Sequence, residues 1–476
     1  MNTLEFIKYE WKLQFNSRAA LLTLFVFVSV LLYGGIAGKA ERDERSSSID
    51  LHHASVTVTM NDWLKHLQML EQNDETANLS PVTGSAMDVV FASSLPQKPL
   101  SDFAIGQSDL LPFVGEISLR DPDIRLFSKY EFADPVGLAL GSFDISKAIL
   151  LFLPLILIVF CFDVISADRD SKRLGLIISQ GMDLRNFFWR RLLLRMSVVL
   201  TVTCVPAIFV LIYNQGQGAA GDRLTSFGVW LMFTFFYGFL WTVLIGAIAS
   251  LNKSGEFNVM ALLGLWVGLT LIVPATSSSI AEALYPTPSR LTYLAEARDV
   301  ENETRLTESD VVNEFMLDHP ELLVDVESQF PDYVSSAFLV TSTVDEATRP
   351  IISSFDESLA RRENLLEFFN YFSPAIVVHS LFNEIAGTSG QRHQSYLSQA
   401  REFKANYAQL VGPSIVGKQP LSSAFFKNIP RFQFAEESFL RRVTGSLKPI
   451  IFLLLLSISL TFFVNRQLGR LSPVSS

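Results

Sequence analysis

The stretch AILLFLPLILIVFCFDVI at residues 148–165 contains one charged side chain, that of Asp163. A helix of about 20 mainly apolar residues is long enough to cross the hydrocarbon core of a bilayer. Six stretches of the chain have this character: residues 19–35, 148–165, 192–213, 227–250, 257–280 and 447–464. The sequence therefore predicts a mainly α membrane protein with six transmembrane helices per chain.

The composition of the 476 residues agrees with a membrane protein. Apolar residues make up 49% of the chain and charged residues 18%, whereas charged residues make up about 25% of soluble domains. The two cysteines, Cys161 and Cys204, lie in apolar runs, which excludes a disulfide scaffold. The net charge of −10 argues against nucleic acid as a partner.

Basic residues are distributed unevenly among the segments that connect the predicted spans. If both termini lie on one side of the bilayer, that side holds 13 of the 38 basic residues in very short segments, whereas the short loop opposite holds only Arg223. The two long segments, 37–144 and 281–446, together hold 40 acidic and 22 basic residues. The positive-inside rule then predicts that both termini are cytoplasmic and that both long segments are extracytoplasmic.

This topology divides the chain into five parts. They are an N-terminal interfacial helix with the first span (1–36), a first extracytoplasmic domain (37–144), four spans with a cytoplasmic loop at 166–191 (145–280), a second, mainly helical extracytoplasmic domain (281–446), and the last span with a cytoplasmic tail (447–476). Segments as long as the second and fourth parts are expected to fold as domains. Within the first domain, alternation at 54–60 predicts a strand and residues 61–71 a helix.

The segment before the first span has an apolar stripe at helical spacing, formed by Leu4, Ile7, Trp11 and Phe15, with lysines beside it. Tryptophan and lysine are typical anchors at a membrane surface. We interpret this segment as a helix lying in the cytoplasmic interface of the bilayer. A simple extension of the first span is the alternative.

The loop DRDSKRLGLIISQG at residues 168–181 begins with charges and continues with Leu174, Ile177 and Ile178, which share a helical face. This pattern predicts a short helix across the membrane surface, with an apolar edge suited to docking into a groove of another protein. A solvated basic loop that only fixes the topology explains the pattern equally well.

The sequence lacks the motifs of nucleotide and peptide hydrolysis. The segment GIAGKA at 35–40 has neither the spacing nor the hydroxyl of a phosphate-binding loop, and neither GxSxG nor HExxH occurs. We therefore expect no catalytic residues and no enzyme activity in this chain. His52, His53 and His66 could meet at a metal, but surface histidines are the favoured interpretation, and we expect no metal site.

The fifth span contains the candidates for a transport pathway, Asn258, Thr270 and Pro274. Helix packing or a kink explains these residues equally well. The spans carry no ionisable residue at mid-depth, which argues against a proton-coupled carrier. Asp163 lies near a span end and is interpreted as an interfacial residue.

Taken together, these features resemble the permease subunit of an ABC-2 type ATP-binding-cassette transporter. A bacterial subgroup with a large second outer segment and no assigned substrate is more similar still. Its landmarks correspond here to YPTPSR at 285–290, DHPEL at 318–322, SPA at 373–375, AGT at 386–388 and RH at 392–393.

The resemblance implies how such a machine is assembled. Two permeases, either two copies or this chain and a paralogue, would bind two ATPase subunits in the bacterial inner membrane. ATP and Mg would be bound by the ATPases, and this chain would hold no cofactor. The loop would carry the coupling helix that docks on the ATPase, with these coupling residues: Lys172, Arg173, Leu174, Gly175, Leu176, Ile177, Ile178, Ser179 and Gln180.

Three functions agree with the sequence. The first is an ATP-driven exporter. The second is a mechanotransmission complex, in which ATP moves the extracytoplasmic domains against a periplasmic partner and no substrate crosses the bilayer. The third is a membrane-anchored periplasmic interaction protein without an ATPase.

Overall fold

A computed structural model describes residues 10–11, 17–72, 80–106, 108, 111–123, 143–175, 183–214, 220–286, 290–307, 310, 317 and 330–471. Within these residues the fold is mainly helical, and its sheet is a two-stranded antiparallel hairpin of β1 (Val90–Ser94) and β2 (Val114–Ser118). The helices are α1 (Arg18–Glu71), α2 (Ile145–Cys161), α3 (Ser166–Asp170), α4 (Leu184–Tyr213), α5 (Ala220–Ala249), α6 (Gly255–Val267), α7 (Val273–Leu284), α8 (Arg290–Leu306), α9 (Asp332–Phe369), α10 (Pro374–Ala386), α11 (Gly390–Val416), α12 (Ser423–Asn428) and α13 (Phe439–Leu471).

Six helical stretches are long and apolar enough to cross a membrane, which confirms the predicted fold class and makes the chain a multi-pass membrane protein. They are Arg18–Glu71, Ile145–Asp170, Leu184–Tyr213, Ala220–Ala249, Gly255–Leu284 and Leu447–Arg470. Each contains one of the predicted spans almost entirely. The fifth stretch combines α6 and α7, which are joined by a π-helical turn at Gly268–Ile272.

The bundle has two distinct ends. One end is here called the network end, and three helices meet there: the last turn of α2, the first turns of α4 and the last turns of α13. Trp189 of α4 joins α13 by donating its indole N–H to Asn465 Oδ1 at 2.7 Å. At the other, here called the loop end, residues 34–42 of α1 lie beside the start of α2, the end of α4 and the start of α5.

Helix α1 continues far beyond the bundle. At 1.5 Å per residue its 54 residues are about 81 Å long, whereas the hydrocarbon core of a bilayer is about 30 Å thick. The prediction of a strand at 54–60 is wrong, because these residues belong to α1. Val56 and Met60, one turn apart, are buried on one face, and the Thr57 hydroxyl donates to the carbonyl of His53 at 2.6 Å within the helix.

The two long segments pack together in a head beside the loop end. Met60 of α1, Phe91 of β1 and Ile117 of β2 share one hydrophobic core with Leu339 of α9 and Tyr407 of α11. Described parts of the segments 37–144 and 281–446, which the sequence predicts as two domains, therefore share one core. Because apolar alternation describes only which face of an element is buried, it carried no sign of this pairing.

Part of the second long segment returns into the bundle. Val378 and Phe382 of α10 belong to the same hydrophobic core as α2, α4 and α5, and the ring of Phe382 lies 5.4 Å from that of Trp230. Ser373, the N-cap of α10, donates its hydroxyl to the carbonyl of Leu269 in the π-helical turn at 2.6 Å. The turn between α9 and α10 therefore reaches the middle of the fifth span.

A buried carboxylate holds the first long segment to the loop end. Asp102 is 0% exposed, and its Oδ2 lies 2.9 Å from the Arg223 guanidinium, 3.5 Å from that of Arg42 and 2.9 Å from the Asn214 amide, which donates to it. These partners belong to α5, α1 and the residue after α4. One carboxylate therefore joins three helices, and its burial requires such compensation.

Glycines of α1 allow this close approach. A Cβ at Gly38 would lie 2.0 Å from the carbonyl oxygen of Asp102, and one at Gly34 would lie 2.8 Å from the carbonyl carbon of Asp144. Gly35 and Gly38, which superficially resemble part of a phosphate-binding loop, lie within a helix and serve packing instead.

We expect Asp102→Ala to lower the free energy of unfolding by about 3–5 kcal/mol, because it leaves two buried guanidinium groups without their shared partner. Asp43→Ala is the matched control: Asp43 also pairs with Arg42, but its side chain is 48% exposed, and exposed pairs contribute about 0–1 kcal/mol. Unfolding by sodium dodecyl sulfate in mixed micelles measures both. Equal effects of the two substitutions would contradict a structural role for Asp102.

Candidate functional site

Five charged residues form a compact ion-pair network at the network end, and the exposed Arg173 lies at its edge, with its Nε 3.6 Å from Asp168 Oδ1. Arg191 Nε lies 2.7 Å from Glu10 Oε1, and Arg195 Nε lies 3.5 Å from Glu10 Oε2. Arg195 also pairs with Asp163 at 2.6 Å, and Arg191 pairs closely with Asp168. Glu10 thereby connects the N-terminal segment to α4, while the two aspartates connect α4 to the end of α2 and to α3.

The burial of this network explains its composition. Glu10 is 1% exposed, Arg191 4% and Arg195 5%. Ionised groups removed from water are stable only when they are paired and hydrogen-bonded. The arginines meet this requirement further by donating to two backbone carbonyls: Arg195 to that of Phe160 in the last turn of α2 at 2.8 Å, and Arg191 to that of Val164, just after α2, at 3.1 Å.

The predicted coupling loop begins directly at this network. Lys172, Arg173 and Gly175 are exposed, and Leu174 is half-buried against the bundle core. Lys172 has a left-handed backbone (φ 56°), so the chain turns sharply after α3. The other predicted coupling residues, Leu176, Ile177, Ile178, Ser179 and Gln180, lie outside the described residues.

Of the predicted interfacial stripe, Leu4, Ile7 and Phe15 also lie outside the described residues. Trp11 is helical and 49% exposed, next to the buried Glu10. The segment at residues 10–11 therefore presents one side to the ion-pair network and the other to the surroundings of the protein.

The three pathway candidates separate into two groups. Asn258 is buried near the network end, where its amide donates to the carbonyl of Phe162 at 3.2 Å. Thr270 and Pro274 line a cavity of about 620 Å³ between the fifth span and α2, α9 and α10. At 1.5 Å per residue, Asn258 and Thr270 are about 18 Å apart along the helix, so the structure does not bring all three together.

This cavity has apolar walls and an acidic side. Leu150, Leu151, Leu366 and Ile376 contribute apolar surface. Its titratable lining residues are Glu363 and Glu367 from α9, His379 and Glu384 from α10, and Lys147 from α2. The ammonium of Lys147 lies 4.0 Å from the buried carboxylate of Asp144, so this cation is already close to an acid outside the lining.

The environment of the cavity shifts the protonation of two of these groups. Burial raises the pKa of Glu363, and the charges of Glu367 and Glu384 raise it further. Burial and the charge of Lys147 lower the pKa of His379 to about 4. At neutral pH the imidazole is therefore neutral, and the three carboxylates of the lining outnumber its one ammonium group, that of Lys147.

Helix α2 links the two features. At one end of α2, the carbonyl of Phe160 accepts a hydrogen bond from Arg195. At the other end, Lys147, Leu150 and Leu151 line the cavity. The sequence alone indicates neither the acidic cavity nor the pairing of the five network residues. The available signal was the occurrence of Glu363, Glu367 and Glu384 among apolar residues, which is typical of any half-buried helix.

Two of the histidines considered as metal ligands, His52 and His53, contact the β-hairpin. His52 Nε2 is 2.9 Å from the carbonyl of Gly115 in β2, and His53 Nε2 is 2.8 Å from Ser94 Oγ in β1. In the part of the chain that the structure describes, no three histidine, cysteine or acidic side chains are grouped as a metal site.

Comparison with known proteins gives one match. Residues 290–435 match a family described as Domain of unknown function (DUF3526). No curated protein and no solved structure matches the chain. The matched residues extend from α8 past α12, so they include the side of the cavity that α9 and α10 form, but not the ion-pair network.

We expect Asp168→Asn to destabilise the protein by about 1.5–3 kcal/mol, the contribution of a hydrogen bond to a charged group, because it removes a buried partner of Arg191. Asp170→Asn, two residues away on the same short helix, should change the stability by no more than about 0.5 kcal/mol, since the Asp170 side chain is 61% exposed. The free energy of unfolding in mixed micelles provides the comparison. A larger effect at position 170 would refute the network's structural role.

Proposed function

We propose that this chain is the transmembrane permease subunit of an ATP-driven ABC-2 type transporter, and that it works as an exporter. ATP would be hydrolysed by two partner ATPase subunits that dock on the segment at 166–191. In this proposal the network end faces the cytoplasm of a bacterial cell and the head faces the periplasm. A second copy of the chain, or a paralogue, completes the membrane part.

One observation carries the proposal: the exposed residues Lys172 and Arg173 follow directly on a buried ion-pair network, and α2 extends from that network to the cavity. A force applied to an isolated flexible loop is lost in local motion. Here Asp168 pairs with Arg191 of α4, and the exposed residues Lys172 and Arg173 follow within about two helical turns of Asp168. Docking at the loop would therefore displace α2 and α4 together, and the cavity wall with them.

The mechanotransmission alternative is supported by a different feature, the unbroken helix α1. Met60 and Leu67 of α1 lie in the core of the head, while Phe27 and Leu31 of the same helix lie in the core of the bundle. Motion of the bundle is therefore passed to the head without an intervening hinge. ATP hydrolysis by the reconstituted complex, with no solute moved, would favour this alternative.

The decisive experiment is purification of the full chain from its native membranes in mild detergent. We expect an ATPase with a GxxxxGK[ST] motif to co-purify, as identified by mass spectrometry. Reversal of charge at the loop (Lys172→Glu with Arg173→Glu) should reduce the recovery of this ATPase at least tenfold, because both side chains are exposed where docking is proposed.

Arg361→Glu is the matched control, since Arg361 is 66% exposed but belongs to α9, away from the loop. It should leave ATPase recovery unchanged. Membrane insertion of every variant is checked by labelling of single cysteines on either side of the membrane. If the wild-type chain brings no ATPase with it, the proposal fails, and the membrane-anchored interaction protein becomes the preferred function.

A further inference from the structure

We propose that the cavity between α2, the fifth span, α9 and α10 binds an organic cation: a protonated amine joined to an apolar body. Only the statement that this ligand is the transported substrate rests on the proposed function. Binding of the ligand does not require an ATPase. The chemical class follows from the charge of the cavity lining, its hydrogen-bonding groups, its size and its apolar walls.

The charge of the lining selects a cation. Three carboxylates, those of Glu363, Glu367 and Glu384, line the cavity, and the basic side chain beside them, Lys147, lies within 4.0 Å of Asp144. His379 adds no positive charge at neutral pH, since its pKa is lowered to about 4 by burial and by Lys147. The carboxylates converge from two helices, α9 and α10, so a ligand between these helices lies close to both.

The acidic lining favours a cation that carries N–H groups. The oxygens of an ionised carboxylate accept hydrogen bonds, and those from a charged donor are the stronger ones. A primary or secondary ammonium can donate to Glu363, Glu367 or Glu384, which line the cavity. A quaternary ammonium has no N–H to donate.

The dimensions and the apolar walls define the rest of the ligand. A cavity of about 620 Å³ lies within the range of roughly 300–1,000 Å³ that is typical of sites for small molecules. Leu150 and Leu151 of α2, together with Leu366 of α9 and Ile376 of α10, give the cavity its apolar walls. An aromatic or short aliphatic body fits between these walls while the amine faces the carboxylates.

The proposal also predicts a pH dependence. Burial and the neighbouring charges of Glu367 and Glu384 raise the pKa of Glu363, so this carboxyl becomes an anion at a higher pH than usual. Binding of a cation therefore strengthens as the pH rises through that pKa and weakens as the pH falls. Protonation of His379 at still lower pH acts in the same direction, because an imidazolium repels the ligand.

The test measures binding of tritiated propranolol, a secondary amine on a naphthalene ring, to the full chain in phosphatidylcholine nanodiscs, with empty nanodiscs as background. We expect saturable binding that weakens as the pH is lowered from 7.5, because the raised pKa of Glu363 makes this carboxyl lose its charge earlier than an ordinary glutamate. Naproxen, which has a carboxylate on the same ring system, should not compete. The triple substitution Glu363→Gln, Glu367→Gln and Glu384→Gln should weaken binding at least tenfold, and Glu357→Gln, an exposed site on α9, should leave it unchanged.

The proposal is overturned if binding does not exceed that of empty nanodiscs, if naproxen competes as well as unlabelled propranolol, or if the triple variant binds like the wild type. If the triple variant does not fold, Glu367→Gln replaces it, because Glu367 is exposed and its loss leaves packing intact. Nanodiscs containing phosphatidylethanolamine identify the source of the natural amine: weaker probe binding there indicates a lipid headgroup, and unchanged binding a diffusible amine. None of these results depends on recovery of an ATPase, so the two proposals fail separately.

Discussion

Asp102 carries a charge that is completely removed from water, and the arrangement of the loop end follows from the need to neutralise it. The guanidinium groups of Arg42 and Arg223 and the amide of Asn214 converge on this one carboxylate. Because these groups come from α1, α5 and the end of α4, three spans take fixed positions around a residue of the first long segment. The head and the bundle are therefore one structure, although they are built from very different compositions.

The network end is also held together by buried ion pairs, but there the buried central groups are cations. There two arginines, Arg191 and Arg195, are buried and three carboxylates converge on them. Removing one partner from either network leaves a buried charge less fully compensated, which is destabilising. The helices between the two networks are then expected to move as stiff units, which is what transmission between distant sites requires.

The sequence predicted the spans correctly because apolar length is a local property that needs no knowledge of the fold. It misassigned residues 54–60 as a strand, since Ser, Val and Thr alternate there; tertiary packing of Val56 and Met60 against the head overrides that local preference. From the sequence alone, Arg191 and Arg195 are two of the 13 basic residues whose distribution indicates the topology. Their burial depends on Glu10 and Asp163, which are far away in the sequence, and no periodicity reports such a pairing.

The site was predictable only in part for the same reason. Thr270 and Pro274 are predicted pathway residues because one is polar and the other breaks helices, and both line the cavity. Glu363 and Glu384, which give that cavity its charge, come from a segment with no unusual composition. Their convergence depends on the turn at 370–373, where Ser373 bonds to Leu269. A contact of this kind is set by tertiary structure alone.

The length of α1 has a geometric consequence. From Gly38, where the helix passes Asp102, to Glu71 there are 33 residues, which correspond to a rod of about 50 Å. Tilting that rod by about 5° would swing its far tip sideways by about 4 Å, given the rise of 1.5 Å per residue. A tilt of α1 that is too small to disturb side-chain packing inside the bilayer therefore moves the far end of this helix. The displacement there is as large as an amino-acid side chain.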